Sequence, residues 1–306
     1  MSKRFIIIGA IAILVVAVGV GVYWSGGTSP SSVIAQMWDS IYETNSATYN
    51  VDLKIKDLRG GALASMVITA SGDTSDADNI KSKASFTFNS NPASGFPLSL
   101  ALDFVLSGGS SYVKADLSGA ASLLKTFGYE SILALNKLWI KLGLEDLQQF
   151  GAYKTQYTEE QKEQVQQALK NSDIIKVTEV LADEEISGVD VYHYKFSIET
   201  ESLSKFLVEI TQTAQSRAFT AKEIAALKAS IDKGFAVMPA IGGEIWIGKS
   251  DKLLYKITLS LAGATVPVVV DLVVIFKDYN APVSVSVPSS YISLEEAMAI
   301  ALSGLE

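Results

Sequence analysis

Alternation of apolar and polar residues recurs along much of this sequence. In the segment 98–106 every second residue is Leu or Phe, and the residues between them include Ser99 and Asp103. The same period of two runs through 49–58, 66–70 and 84–88. Because successive side chains of a strand point to opposite faces, these segments predict strands with one apolar and one polar face. Such strands form antiparallel sheets that are covered on one face.

Turn and capping signals predict the remaining elements. Gly108-Gly109 predicts a hairpin between 98–106 and 111–116. Ser29-Pro30 predicts the start of a helix that ends near Thr44. Three capping boxes begin at Thr158, Thr220 and Ser293, and a further helix spans 200–216. Later strands are predicted at 138–142, 174–181, 189–198, 243–248, 253–261 and 266–277. About ten strands and four or five helices predict an α+β fold.

The N-terminus predicts a membrane anchor. Phe5–Val22 has neither charge nor proline, and it lies between Lys3-Arg4 and Tyr23-Trp24. A run of this length spans a hydrocarbon core of roughly 30 Å, and the flanking Lys and Arg place the N-terminus in the cytoplasm. A cleaved signal peptide is the alternative, although Tyr23-Trp24 suits a small-residue cleavage site poorly. We expect a single-pass protein with an anchor and spacer at 1–27, contacting the membrane through 5–24, and an extracytoplasmic domain at 28–306.

Composition excludes several classes of function. The formal charge of the chain is −8, and residues 28–306 carry 23 basic against 33 acidic side chains, so nucleic-acid binding by charge is excluded. The absence of cysteine excludes disulfides, thiolate metal sites, a cysteine nucleophile and a lipid-modified cysteine. No nucleophile elbow, phosphate loop or HExxH motif occurs. We therefore expect no catalytic residues, no cofactor and no metal.

Two polar features are interpreted as structural. His193, the single histidine, lies between Tyr192 and Tyr194 and is predicted to point to water from the polar face of its strand. The acidic run 183–185 is predicted to form a hairpin, because a calcium site needs six to eight oxygens at spaced positions.

The order of these elements resembles the LolA-like lipoprotein carrier superfamily, including LppX/LprG-type lipoproteins. The local motifs are degenerate, and the resemblance depends on their order over about residues 30–292. They are Ser111–Lys114, Leu138–Leu142, Ile186–Tyr194, Glu244–Ile247 with Leu253–Ile257, and Phe276–Val283 followed by Pro288. The chain departs from LppX/LprG-type proteins in having no lipobox cysteine, and it departs from LolA itself, a free soluble carrier, in its N-terminal apolar run.

This resemblance implies a fold and a ligand. The expected fold is a large curved antiparallel sheet, an open half-barrel with helices packed on its concave face. Its apolar face would hold a lipid or another long apolar ligand at the cell envelope. Twelve residues are predicted to line the cavity: Phe86, Leu100, Leu102, Phe104, Tyr194, Phe196, Phe206, Ile210, Leu259, Val270, Leu272 and Val274.

An alternative function remains open at this stage. Some domains of this superfamily regulate envelope signalling by contacting a partner protein, so the chain could be an envelope sensor or interaction module that transports no ligand. Whether the purified protein carries lipid distinguishes the two functions.

Overall fold

The computed structural model describes nine stretches of the chain and divides it into two compact units. The described stretches are 29–57, 62–73, 81–90, 97–143, 158–170, 174–215, 219–235, 241–262 and 268–303. The first unit comprises Met1–Thr44 and Thr155–Pro267, and the second comprises Asn45–Lys154 and Val268–Glu306. The predicted domain 28–306 therefore contains two units. The predicted anchor 5–22 lies outside the described residues, and no helix within them is long and apolar enough to cross a membrane.

The second unit is built on one sheet. Its strands are β1 (Ser46–Asp57), β2 (Ala62–Asp73), β3 (Lys81–Ser90), β4 (Leu98–Ser107), β5 (Ser110–Asp116), β6 (Trp139–Leu142), β12 (Val268–Lys277) and β13 (Ile292–Ser293). They lie in the order β13-β6-β5-β4-β3-β2-β1-β12. All neighbours are antiparallel except β13, which pairs in parallel with β6 through Ile292 and Ile140. Among the described residues β13 has no second strand partner, so the sheet is not closed there.

Local sequence explains the register of this sheet. The β4–β5 hairpin turns through Gly108 and Gly109, whose φ angles of 59° and 70° belong to a two-residue turn that glycine adopts readily. Ser107 consequently faces Ser110, and Leu102 faces Ala115. Because a shift by one residue would turn every apolar side chain to the other face, the alternation holds the strands in this register.

An irregular segment at 281–291 crosses the polar face of this sheet. Ser46 Oγ donates to the Ala281 carbonyl at 2.7 Å, and Lys83 Nζ donates to the Ser284 carbonyl at 3.1 Å. At the far end the Tyr291 ring lies edge-on to Tyr112, with ring centroids 5.3 Å apart. The segment leads into β13 and helix α6 (Leu294–Leu302), so the parallel pairing is the end of a crossing over the polar face.

Short helical segments follow β5 in the second unit. They are a 3₁₀ turn at Ser118–Ala120, helix α2 (Ala121–Thr126) and a second 3₁₀ turn at Glu130–Leu135. Neither α2 nor the second turn contains a buried residue. Ser131 Oγ donates to the Ala301 carbonyl at 2.8 Å and links the second turn to α6.

The described part of the first unit combines a smaller sheet with four helices. Its strands are β7 (Ile175–Val180), β8 (Glu184–Ile186), β9 (Val189–Ile198), β10 (Ile241–Gly248) and β11 (Leu254–Ala262). They lie in the order β11-β10-β9-β7, with β8 also paired to β9. Its helices are α1 (Pro30–Tyr42), α3 (Glu159–Lys170), α4 (Thr200–Gln215) and α5 (Ala221–Phe235).

Caps begin the helices where the sequence predicts them. Ser29 Oγ accepts from the Ser32 amide at the start of α1. Thr158 and Gln161 exchange both hydrogen bonds of a capping box, as do Thr220 with Glu223 and Ser293 with Glu296. Each cap satisfies amides that have no partner inside the helix, so these predictions are confirmed.

Helix α1 covers the apolar face of the first unit's sheet. Val33, Met37 and Trp38 are buried on the side of α1 that contacts β7 and β10. Ile245 and Ile247 of β10 are fully buried. A second cluster joins α3, α4 and the start of β7 through Ala168, Ile174, Leu203 and Phe206. The predicted α+β class and mostly antiparallel sheet are confirmed, and the parallel β13 is the exception within the described residues.

Candidate ligand-binding surface

A continuous apolar face crosses the sheet of the second unit. Hydrogen-bond register aligns its side chains in rows across six strands, and the central row includes Val51, Ile68, Phe86 and Leu102. This row continues to Val274 on β12 and to Ala115 on β5. The neighbouring row contains Leu272, Leu53, Met66, Phe88 and Leu100. The face therefore presents aliphatic and aromatic groups over most of the sheet.

Burial on this face is high on β1 and β12 and much lower at Leu102 of β4. Val274 is 0% exposed and Leu53 is 6% exposed, whereas Leu102 is 41% exposed. Phe86 and Phe88, which lie between them, are half-buried. A large aliphatic side chain with this exposure in the middle of an apolar face marks surface that another apolar body can cover. We call the part of the face on β2, β3 and β4 the apolar shelf, formed by Met66, Ile68, Phe86, Phe88, Leu100, Leu102 and Phe104.

Charged and hydroxyl groups fix which face is polar. On the reverse side of β4, Asp103 accepts from Ser85 Oγ and pairs with Lys114 Nζ, each at 2.7 Å. Lys114 Nζ also lies 4.7 Å from the centroid of the Trp139 ring. Partial burial opposes ionisation of Asp103, but the hydrogen bonds from Lys114 and Ser85 outweigh it and lower the pKa of this carboxyl. If β4 presented its other face, Asp103 would lie among the apolar side chains of the shelf and lose its hydrogen bonds from Ser85 and Lys114. This polar network therefore favours the observed orientation of β4.

A pocket opens at one end of the shelf. Its volume is about 350 Å³, and it lies at the ends of β2, β3 and β4. Its lining residues are Ala64, Ser65, Asn89, Ser90, Pro97, Leu98, Ser99 and Gly119. Gly119 permits the 3₁₀ turn to approach β4, because a Cβ there would lie 2.5 Å from the Ser99 carbonyl oxygen. The shelf thus ends at a small pocket whose side chains are uncharged.

Seven of the twelve predicted cavity residues lie on this one face of the second unit. Phe86 faces Leu102 directly, and Leu100 and Phe104 flank Leu102 along β4. Leu272 and Val274 are buried on β12, and half-buried Val270 lies opposite Ile55. The sequence alternation also contained Met66, Ile68 and Phe88, which the predicted set omitted and which complete the shelf.

The other five predicted residues belong to the packed interior of the first unit. Tyr194 and Phe196 of β9 are buried, as is Leu259 of β11, and Gly243 lies directly opposite both Phe196 and Leu259. Burial, with smaller contributions from Tyr192 and Asp183, raises the pKa of Tyr194 to about 12. The last two, buried Phe206 and half-buried Ile210, lie in or against the α3–α4 cluster.

The structure corrects the prediction that His193 points to water. Its side chain does lie on the face opposite Tyr192 and Tyr194, but it is 7% exposed and does not point to water. Its Nδ1 is 3.0 Å from Glu184 Oε1, and its Nε2 is 3.1 Å from Glu244 Oε2. The prediction failed because Glu244 and the stacking partner Trp246 come from β10, more than fifty residues away along the chain.

The acidic run 183–185 has partners within the protein. Asp183 pairs with Lys249 Nζ at 2.6 Å, and Glu184 accepts from His193 and from the Trp246 indole. Within the described parts of the chain, no group of three or more His, Asp or Glu side chains is arranged to hold a metal ion.

Comparisons with known proteins give similarity to solved structures only. No protein-family model matches the chain, and no curated protein matches it. The chain is similar to the crystal structure of lipoprotein LppX from Mycobacterium tuberculosis, with 13% identity over 84% of this chain and 100% of LppX and a TM-score of 0.37. The chain is also similar to the crystal structure of LprF from Mycobacterium bovis. The identity is 11% over 87% of this chain and 100% of LprF, and the TM-score is 0.39.

A third solved structure is a putative outer membrane lipoprotein-sorting protein domain from Vibrio parahaemolyticus, with 8% identity over 78% of this chain and 87% of that domain, and a TM-score of 0.19. LppX is also one of the proteins named in the resemblance drawn from the sequence motifs.

Proposed function

We propose that this chain is a membrane-anchored extracytoplasmic protein that holds a lipid or another long apolar ligand on the apolar shelf and performs no covalent chemistry. One observation carries the proposal, namely that Leu102 remains 41% exposed at the centre of an otherwise aliphatic and aromatic face. Residues 5–22 supply the anchor in this proposal, with the N-terminus in the cytoplasm. The anchor is supported by the uncharged apolar run and its Lys3-Arg4 flank.

The shelf suits a long apolar ligand energetically. Each methylene group that leaves water contributes about 0.8 kcal/mol, so an acyl chain lying along several strands gains affinity roughly in proportion to its buried length. The half-buried rings of Phe86 and Phe88 offer flat apolar contacts beside Leu102. No charged side chain belongs to the shelf, so the ligand portion held there is uncharged.

The decisive experiment is analysis of lipid bound to the full chain after purification in a mild detergent. Mass spectrometry of the extracted protein is expected to find a bound lipid in the wild type. In Leu102→Trp the larger ring occupies the shelf, so lipid occupancy is expected to fall severalfold. Because Leu102 is already exposed, Trp there should cost less than the roughly 1–3 kcal/mol typical of overpacked cores.

Thr87→Trp is the matched control. Thr87 is exposed on β3 next to Phe86, on the polar face, so the same bulky substitution leaves the shelf open. Lipid occupancy in this variant should equal that of the wild type. Absence of lipid from the wild type, or equal loss in both variants, would contradict the carrier function.

A second function is favoured by a different set of exposed residues. Phe127 is 63% exposed beside α2, and Met298 and Leu302 are more than half exposed, one turn apart on α6. The hydrogen bond from Ser131 to Ala301 links α6 to the 3₁₀ turn at Glu130–Leu135, which follows Phe127. Such a surface suits an envelope protein partner, as in a sensor or interaction module. A lipid-free wild type that binds an envelope protein through Phe127 would support this second function.

A further inference from the structure

The single histidine of the chain lies between two carboxylates. Its Nδ1 is 3.0 Å from Glu184 Oε1, and its Nε2 is 3.1 Å from Glu244 Oε2. The ring also stacks on Trp246, with centroids 4.2 Å apart and planes 17° from parallel. Both ring nitrogens therefore face carboxylate oxygens; the ring itself is almost closed to water, whereas the side chains of Glu184 and Glu244 are 49% and 41% exposed.

This geometry depends on the charge of the ring. An ionised carboxylate only accepts hydrogen bonds, and a neutral imidazole carries one N–H. A neutral His193 can therefore donate to Glu184 or to Glu244 but not to both, whereas the imidazolium form donates to each. A carboxylate that loses a charged donor loses one of the stronger kinds of hydrogen bond.

The neighbouring charged groups have other partners. Lys195, on the same face of β9, pairs with Glu179 of β7 at 3.6 Å. Lys256 of β11 lies 4.0 Å from the centroid of the Trp246 ring, and Lys249 pairs with Asp183. Among the described residues, His193 is thus the cation whose ion pairs reach Glu184 and Glu244.

Glu184 belongs to a strand with little else to hold it. Strand β8 has three residues, pairs with β9 alone and joins it through the tight turn at Ser187 and Gly188. The side chains of 183–185 are exposed, and three adjacent acids repel one another. The side-chain donors to Glu184 are His193 and the Trp246 indole Nε1, which is 3.1 Å from Oε2.

We propose that His193 is a proton-operated latch for strand β8. The charged ring holds Glu184 and Glu244 together and keeps β8 against β9. The neutral ring donates to only one of the two carboxylates, so it no longer bridges Glu184 of β8 to Glu244 of β10, and β8 detaches more readily. The latch is therefore closed while the imidazole is protonated, and it opens when the ring loses its proton at higher pH. It also weakens at acid pH, where carboxylates become protonated.

Hydrogen exchange of the full chain tests the latch directly. The amides of Glu184 and Ile186, which face β9, should lose about tenfold protection between about pH 5.5 and about pH 8.5, after correction for intrinsic exchange. In His193→Gln the side chain cannot become charged, so protection at β8 should stay at the low, high-pH level throughout. Glu185→Gln removes a charge from the same strand without touching the ring, and it should retain the pH step.

Nuclear magnetic resonance supplies an independent readout, because the one histidine gives one pair of ring ¹⁵N signals. The wild type should show two protonated ring nitrogens while β8 is protected and one when protection falls. A ring that titrates with no change at β8 would overturn the proposal, as would a pH step that persists in His193→Gln. If His193→Gln does not fold, the coincidence of the two wild-type transitions decides the matter.

Discussion

At the scale of single residues, the described part of the first unit is closely packed around Gly243. Gly243 lies between β9 and β11, opposite Phe196 and Leu259. A Cβ at this position would be 1.7 Å from the Thr258 carbonyl oxygen, so the backbone could accept it only by moving a strand. Tyr194 and Leu259, on the same face, are accordingly interior side chains.

Gly243→Ala is expected to destabilise the protein by about 1–3 kcal/mol, because the added methyl group overlaps backbone rather than a flexible side chain. Gly72→Ala is the control, since a Cβ there would meet the Lys81 carbonyl oxygen at 3.9 Å, an ordinary contact. Urea unfolding of both variants measures the effect. Equal midpoints for Gly243→Ala and the wild type would show that β10 can shift to accommodate the methyl group.

At the scale of elements, α5 is attached to α4 through a polar contact as well as an apolar stripe. Ile224, Leu227 and Ile231 of α5 are only half-buried. Asp232 accepts from Lys228 within α5 and from the fully buried Ser204 Oγ of α4, each at 2.7 Å. Hydrogen bonds from Lys228 and then Ser204 lower the pKa of the Asp232 carboxyl. The ionised carboxylate therefore helps to hold α5 in place.

The sign of the pH effect follows from this lowered pKa. The ionised Asp232 carboxylate stabilises the folded protein fully above the unfolded-state pKa of about 3.9. This stabilisation is lost as the pH falls through the lower folded-state pKa. Asp232→Asn should lower the thermal midpoint at neutral pH, and its difference from the wild type should shrink on acidification. Glu201→Gln is the control, because its pair with Lys205 is exposed and lies within α4. A difference that grows at low pH would contradict this account.

At the scale of the whole molecule, burial is distributed unevenly among the elements. Strands β1 and β12 pair with each other along their length and carry buried Val51, Leu53, Leu272 and Val274. The α2 helix and the 3₁₀ turn at Glu130–Leu135 contain no buried residue. Segments with few buried contacts open at lower free-energy cost than core strands.

Amide exchange of the full chain at neutral pH should follow this distribution. The segment 121–135 and helix α5 are expected to exchange first, and the central amides of β1 last, because opening β1 breaks its ladders with β2 and β12 together. Mass spectrometry of proteolytic fragments resolves these segments. Equal protection of 121–135 and β12 would mean that the short helical segments are as firmly held as the sheet.

Elements that depend on residues close together along the chain could be predicted from the amino-acid sequence. Capping at Ser29, Thr158, Thr220 and Ser293 needs partners only three residues away, and the β4–β5 turn needs only its two glycines. Alternation likewise identified the shelf strands, because the face of a strand residue depends on its immediate neighbours. These features were predictable within one or a few residues of their observed bounds.

Which apolar faces are covered, and which polar groups form ion pairs, could be seen only in the folded protein. Leu102 and Leu259 have the same alternating surroundings in sequence, yet one is exposed and the other is buried. His193 was misassigned because its acceptor Glu244 lies 51 residues away, and β13 was missed because a two-residue strand depends on β6. Burial and ion pairing depend on groups brought together from distant positions, and no short-range pattern records which groups those will be.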